Sequence, residues 1–102
     1  MRLKQGVRTT GVQSALLIAM MVADQVCREN AVEFVITSIV DGVHSAGSLH
    51  YIGSAYDMRT RDMNTIVKQR VSDEIRNRLA GDYDVVLESD HIHVEWQPKQ
   101  PL

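Results

Sequence analysis

The sequence predicts an α+β domain, a small and mostly antiparallel sheet with two covering helices. Three observations carry that expectation. Two stretches repeat apolar residues at steps of three and four, the spacing of one helical face. A β-branched run follows the first of them, and two short runs, one alternating strictly, follow the second. No internal repeat, low-complexity stretch or linker divides the 102 residues, so a single domain is expected, with its core at about residues 9–97.

The first helix is expected from about Gly11 to Asn30. Thr9 and Thr10 followed by Gln13 resemble a capping box. Val12, Ala15, Leu16, Ala19, Ala23 and Val26 share one face, and Leu17, Ile18, Met21 and Val22 widen the apolar surface, so the helix is expected to pack deep in the domain. Val32–Val40 is rich in β-branched residues and reads as a buried strand. Gly42, Ser45, Gly47 and Ser48 make Asp41–Leu49 a loop, and a strand is expected around Ser54–Met58. Thr60 or Asp62 is placed to cap a second helix whose apolar positions run Met63, Ile66, Val67, Val71, Ile75, Leu79. Gly81 is placed to end it in a left-handed conformation. Tyr83–Leu87 and His91–Trp96 are the closing strands. In the last, His91, His93 and Glu95 face one way and Ile92, Val94 and Trp96 the other. The tail Gln97–Leu102, with both prolines, is expected to leave the fold.

Composition narrows the function. The chain is 44% hydrophobic and 24% charged with a formal net charge of −2. Such near-neutrality, without a Lys/Arg run, argues against electrostatic attraction to nucleic acid or to an anionic membrane. Cys27 is the sole cysteine; it forms no internal disulfide, and a buried, inert thiol is expected. Arg2, Lys4 and Arg8 before the apolar run Ala15–Ala23 imitate a secretory signal. The leader is long for one, however, and the apolar run continues in helical register through Val26. It is also too short to span a bilayer. No export signal is expected.

Histidines are scarce, and three of the four lie in two places where strands should meet, with His44 apart in the loop. His50 and Asp57 flank a loop-to-strand passage; His91 and His93 share a face of the final strand, directly after Asp90. A catalytic zinc site takes three N, S or O ligands and leaves one position for water. Two histidines and a carboxylate satisfy that, leaving the metal a net Lewis acid. A free carboxylate nearby, Asp90 or Glu88, is then the candidate to take the proton of the water and pass it to the leaving amine. On spacing alone, a polar sheet face with a packed, hydrogen-bonded histidine explains His-x-His at least as well.

A resemblance adds weight to the metal. Ser48-Leu49-His50-Tyr51-Ile52-Gly53-Ser54-Ala55-Tyr56-Asp57 fits S-x-H-x-x-G-x-A-x-D throughout. It looks like the first zinc motif of VanY-type D-alanyl-D-alanine carboxypeptidases and of related phage endolysin peptidases, whose metal-site architecture hedgehog domains share. Asp90-His91-Ile92-His93 is similar to the second motif of that family, an acid three residues before the last zinc-binding histidine. The likeness spans about Phe34 to Trp96.

The resemblance implies a hedgehog/D,D-peptidase-like fold with Zn2+ held by His50, Asp57 and His93. It makes Asp90 the general base, with Glu88 the alternate, and puts His91 beside the metal to stabilise developing charge. The implied substrate is an amide bond of peptidoglycan stem peptides, of the D-Ala-D-Ala or the L-Ala-D-Glu type. An enzyme of this kind lacking a signal is most simply phage- or prophage-encoded. Gly53 and Ala55 are small, as close packing of the backbone between the ligands requires, although ordinary turn and strand chemistry accounts for them too.

One departure is plain. Relatives carry a Ser-Gly-Tyr-Arg-like stretch whose arginine helps bind substrate, but here Thr37-Ser38 run into Ile39-Val40-Asp41. Arg59 and Arg61 stand just beyond Asp57, with surface solvation as their simpler role. The gap weakens the carboxypeptidase expectation more than the peptidase one. Two rivals follow: a non-catalytic zinc-holding module for binding or assembly, for example in a phage particle, and an interaction domain without metal.

Overall fold

The alternation in the last strand sets the architecture. One face of it is apolar and must be covered; the other is polar and can face a cleft. The computed structural model describes residues 1–40, 53–79 and 81–97. In chain order the elements are β1 (Arg2–Leu3), α1 (Ser14–Glu29), β2 (Val35–Ser38), β3 (Ala55–Arg59), α2 (Thr65–Leu79), β4 (Tyr83–Leu87) and β5 (His91–Trp96). They form a five-stranded mixed sheet in the order β1-β2-β3-β5-β4. The pairing of β1 with β2 is parallel; the others are antiparallel. The α+β expectation therefore holds, with the parallel edge strand β1 as an addition.

Directly opposed residues of a ladder share a face. Met58 lies opposite Ile36 and Ile92, and Val94 opposite both Tyr56 and Val85. These side chains are buried with Leu16, Ala19, Ala23 and Val26 of α1 and with Val71 and Ile75 of α2 in one core. Tyr56, fully buried, donates its hydroxyl to the carbonyl of Ala19. The other face carries Asp57 opposite His93, Arg59 opposite His91 and Ala55 opposite Glu95.

Three local expectations need correction. First, α1 is not deep on every side: Leu17, Ile18 and Met21 are 51%, 56% and 69% exposed. The sheet covers one face of the helix, and a 16-residue helix in so small a domain has no second layer for the opposite one. Secondly, no side-chain cap opens α1. Its N-cap is Gln13, whose own N–H donates to the Gly53 carbonyl at 3.0 Å. Thirdly, α2 is capped by neither Thr60 nor Asp62. Those residues belong to a turn closed by Met63 N–H to Thr60 O, and Asn64 Oδ1 accepts from Val67 N–H at 2.8 Å instead.

The predicted strand Val32–Val40 begins late because its first residues finish α1. Val32 N–H donates to Cys27 O and Ala31 N–H to Arg28 O, a Schellman pair, with Ala31 at φ 56°. Gly81, at φ 53°, has the expected left-handed conformation after α2. Cys27 is 1% exposed, and burial pushes its thiol up to about 12, an inert group as expected. Among the described residues, no helix is long and apolar enough to cross a membrane.

Candidate metal and peptide site

The site grows from one cross-strand pair. Asp57 in the middle of β3 and His93 in the middle of β5 are register partners. Neighbouring strands lie about 4.8 Å apart, so facing side chains at such a position must meet. Nδ1 of His93 is 2.9 Å from Oδ1 of Asp57, and Nε2 of the same ring is 2.9 Å from Oε1 of Glu95. The imidazole thus lies between two carboxylates, each a pure acceptor. The hydrogen bond with Asp57 is the main reason that the His93 pKa is raised above its ordinary value; burial opposes the rise and Glu95 adds to it. The side chains of His93 and Asp57 are 21% and 17% exposed, sheltered yet reachable.

Asp57 also faces His91, whose Nε2 is 3.7 Å from Oδ1. The other ring nitrogen of His91, Nδ1, is 2.6 Å from Oδ1 of Asp90. That bond holds the Asp90 carboxyl below the usual carboxylate range. Asp90 itself is 84% exposed, at the mouth of the site. The turn between β4 and β5 is closed by Glu88 N–H donating to His91 O at 2.8 Å.

A cleft of about 430 Å³ opens on this face. Asp57, Asp90 and His91 line it on one side of the chemistry. Lys4, Thr37, Arg59 and Arg61 line it as well. Asp90 is in the cleft and Glu88 is not among its lining residues, which separates the two candidate bases by position.

The structure therefore brings together Asp57, His91, His93 and Asp90 from the expected set. His50 lies outside the described residues, as do His44 and Tyr51. Among the described residues no group of three or more His, Cys, Asp and Glu is arranged to hold a metal. The two expected ligands that are described suit zinc in type. A nitrogen and an oxygen on one tetrahedral zinc stand about 3.4 Å apart, given bonds of about 2.1 Å. The observed pair, at 2.9 Å, has only to open by a fraction of an ångström when a metal replaces the shared proton.

Two contributions were not assigned from sequence. Glu95 fixes the ring of His93, and its signal was present in the alternation of β5. Lys4 reaches the cleft from just after β1, a strand of two residues that carries no periodicity. Gly53, in the first motif, sits in a turn as one of its two readings expected, and close packing adds to the requirement. At φ 72° its backbone lies against the N-terminal segment, and a Cβ there would stand 2.2 Å from the carbonyl oxygen of Gly11.

Comparison with family models, with curated proteins and with solved structures finds no match to this chain.

Proposed function

We propose that this chain is a zinc-dependent peptidase of the VanY type, with a hedgehog/D,D-peptidase-like fold, that hydrolyses an amide bond in peptidoglycan stem peptides. The observation that supports the reading is the Asp57–His93 pair. Two motifs far apart in sequence supply side chains that meet at 2.9 Å on adjacent strands, beside a cleft large enough for a short peptide. A role in breaking cell walls, and a phage or prophage origin, belong to the same proposal.

In this reading Asp57, His93 and His50 hold the zinc. When bound, the metal polarises the scissile carbonyl and acidifies a water molecule. The chain does the rest. Glu95 keeps the ring of His93 turned with Nδ1 toward Asp57 and Nε2 in a hydrogen bond. Asp90 accepts the proton of the attacking water and returns it to the departing amine, so that a carboxylate and an amine leave the site. His91, anchored through Nδ1 to Asp90, presents Nε2 toward the Asp57 side of the cleft, where a donor stabilises the oxygen that gains charge.

A non-catalytic zinc-holding module remains the second reading, favoured by the hydrogen bond that lowers the Asp90 pKa, since a less basic carboxylate draws protons less well. Asp90→Asn separates the two. For the enzyme, cleavage of a stem peptide should fall roughly 10²- to 10⁴-fold in kcat while zinc content is unchanged. Zinc-loaded chain that cleaves no stem peptide, with Asp90→Asn binding zinc alike, is the mark of the holding module.

A further inference from the structure

The helical layer carries an apolar patch on the side of the sheet turned away from the cleft. Leu3 is the register partner of Ile36, which packs in the core with Met58, whereas Asp57 and His93 stand on the opposite face. Beside Leu3, a pocket of about 580 Å³ opens between the N-terminal segment and α1, walled by Met1, Leu3, Val12, Leu17, Met20 and Ile39. Next to the pocket, α1 presents a ridge of Leu17, Ile18 and Met21, of which Met21 is 69% exposed. A hollow and a ridge of the same apolar chemistry thus lie side by side on one surface. At the exposures of Met1, Leu3, Leu17, Ile18 and Met21, roughly 600 Å² of apolar surface is left to water, the upper end for the largest patch on an ordinary monomer.

We propose that this patch is a two-fold interface with a second copy of the chain. A closed two-fold contact uses one patch twice, so the patch must fit itself. Ile18 and Met21 of each copy enter the pocket of the other, and the flexible methionines adapt to the fit. The area is sufficient. A standard interface buries about 800 Å² per partner, a little over half of it apolar, and the patch supplies that apolar share. Charge agrees as well, because a self-contact sets each rim against its own copy, and an excess of either sign would repel. The rim is balanced instead: Asp24 pairs with the N-terminal ammonium and with Arg28, each at 3.0 Å, and Arg2 pairs with Glu33 at 2.6 Å. A strongly charged partner finds no excess of charge to meet there, and an anionic membrane no cluster of cations. With the contact on the helical layer, the cleft of each copy stays open. The pairing depends neither on zinc nor on any reaction in that cleft.

Sedimentation velocity of the full chain over a concentration series tests the pairing. The wild type should reach twice the monomer mass, with a Kd at or below the micromolar range in which interfaces of standard size begin. Met21→Glu on the ridge and Leu3→Glu at the hollow should each weaken pairing roughly 30-fold or more, the loss of a central contact. Both side chains are exposed in the single chain, so circular dichroism should stay native. Ile66→Glu, on α2 at a position that is 71% exposed, should leave the dimer intact. A wild type that is monomeric at about 100 µM, far above the micromolar bound, overturns the proposal. If that monomer binds phosphatidylcholine vesicles through Met21, the occupant is a lipid surface instead. A dimer that survives either Met21→Glu or Leu3→Glu, or that Ile66→Glu dissolves, is built on another face and overturns the proposal equally.

Discussion

At the scale of single residues, His93 is where structure and chemistry meet. Between Asp57 and Glu95 its imidazolium is stabilised, and its pKa is raised. A raised folded pKa means that the proton is held more tightly in the native state, so the stabilisation is fully present below the unfolded value of about 6.5 and is lost as pH rises through the folded value. The metal-free chain should therefore melt at progressively lower temperature as pH is raised above about 6.5. In His93→Ala that decline should flatten, and an unchanged decline would remove His93 as its source. Asp90 acts in a separate window. Its lowered pKa supports the fold above the ordinary carboxylate value and the support fades only in acid. On the proposed zinc reading that logic would reverse, because a metal held by His93 would compete with its proton. Replacing Glu95 by Gln should weaken zinc binding roughly 10- to 100-fold, as loss of an outer-shell carboxylate does, measured by competition with a chromophoric chelator. Undiminished affinity would leave Glu95 a mere surface partner.

At the scale of elements, two backbone positions decide how α1 is framed. Ala31 adopts φ 56° in the Schellman turn, where a side chain is strained and glycine is not. Ala31→Gly should stabilise the chain by about 1 kcal/mol in urea unfolding. Gly53 is the opposite case. With φ 72° and the Gly11 carbonyl 2.2 Å from where a Cβ would be, Gly53→Ala should destabilise it by about 2 kcal/mol or more. A neutral result at Gly53 would mean that the N-terminal segment is not held against the first motif. These same positions explain what the sequence made legible. Helix periodicity placed α1 and α2; a short run placed β4 and strict alternation placed β5, both with their boundaries as observed. The start of the strand after α1 was misplaced because Ala31 is no usual residue for a left-handed turn. The cap of α2 was misplaced because Thr60, Asp62 and Asn64 are all competent acceptors, and only the turn at Met63 decides among them.

At the scale of the whole molecule, topology makes the candidate site. β5 enters the sheet between β3 and β4, and that insertion sets Asp57 beside His93 although α2 and β4 intervene in the chain. The alternation of β5 gave the facing of His91, His93 and Glu95, whereas Asp57 was a candidate by residue type and the resemblance implied that it joins His93. Spacing along a chain does not fix which strands are neighbours. The cationic side of the cleft was less legible still, because Lys4 follows a parallel edge strand too short to announce itself. The apolar patch at Leu17, Ile18 and Met21 was hidden for a related reason, since a wide apolar surface does not say how much of it the rest of the domain can cover.

The most direct measurement is the metal content of the full chain, purified without a histidine tag and supplied with zinc, beside His93→Ala. About one zinc per chain, abolished by the substitution while circular dichroism stays native, is the expected result for a tetrahedral site built on His93. No zinc in either protein would contradict the metal site, and with it the peptidase built around Asp57 and His93.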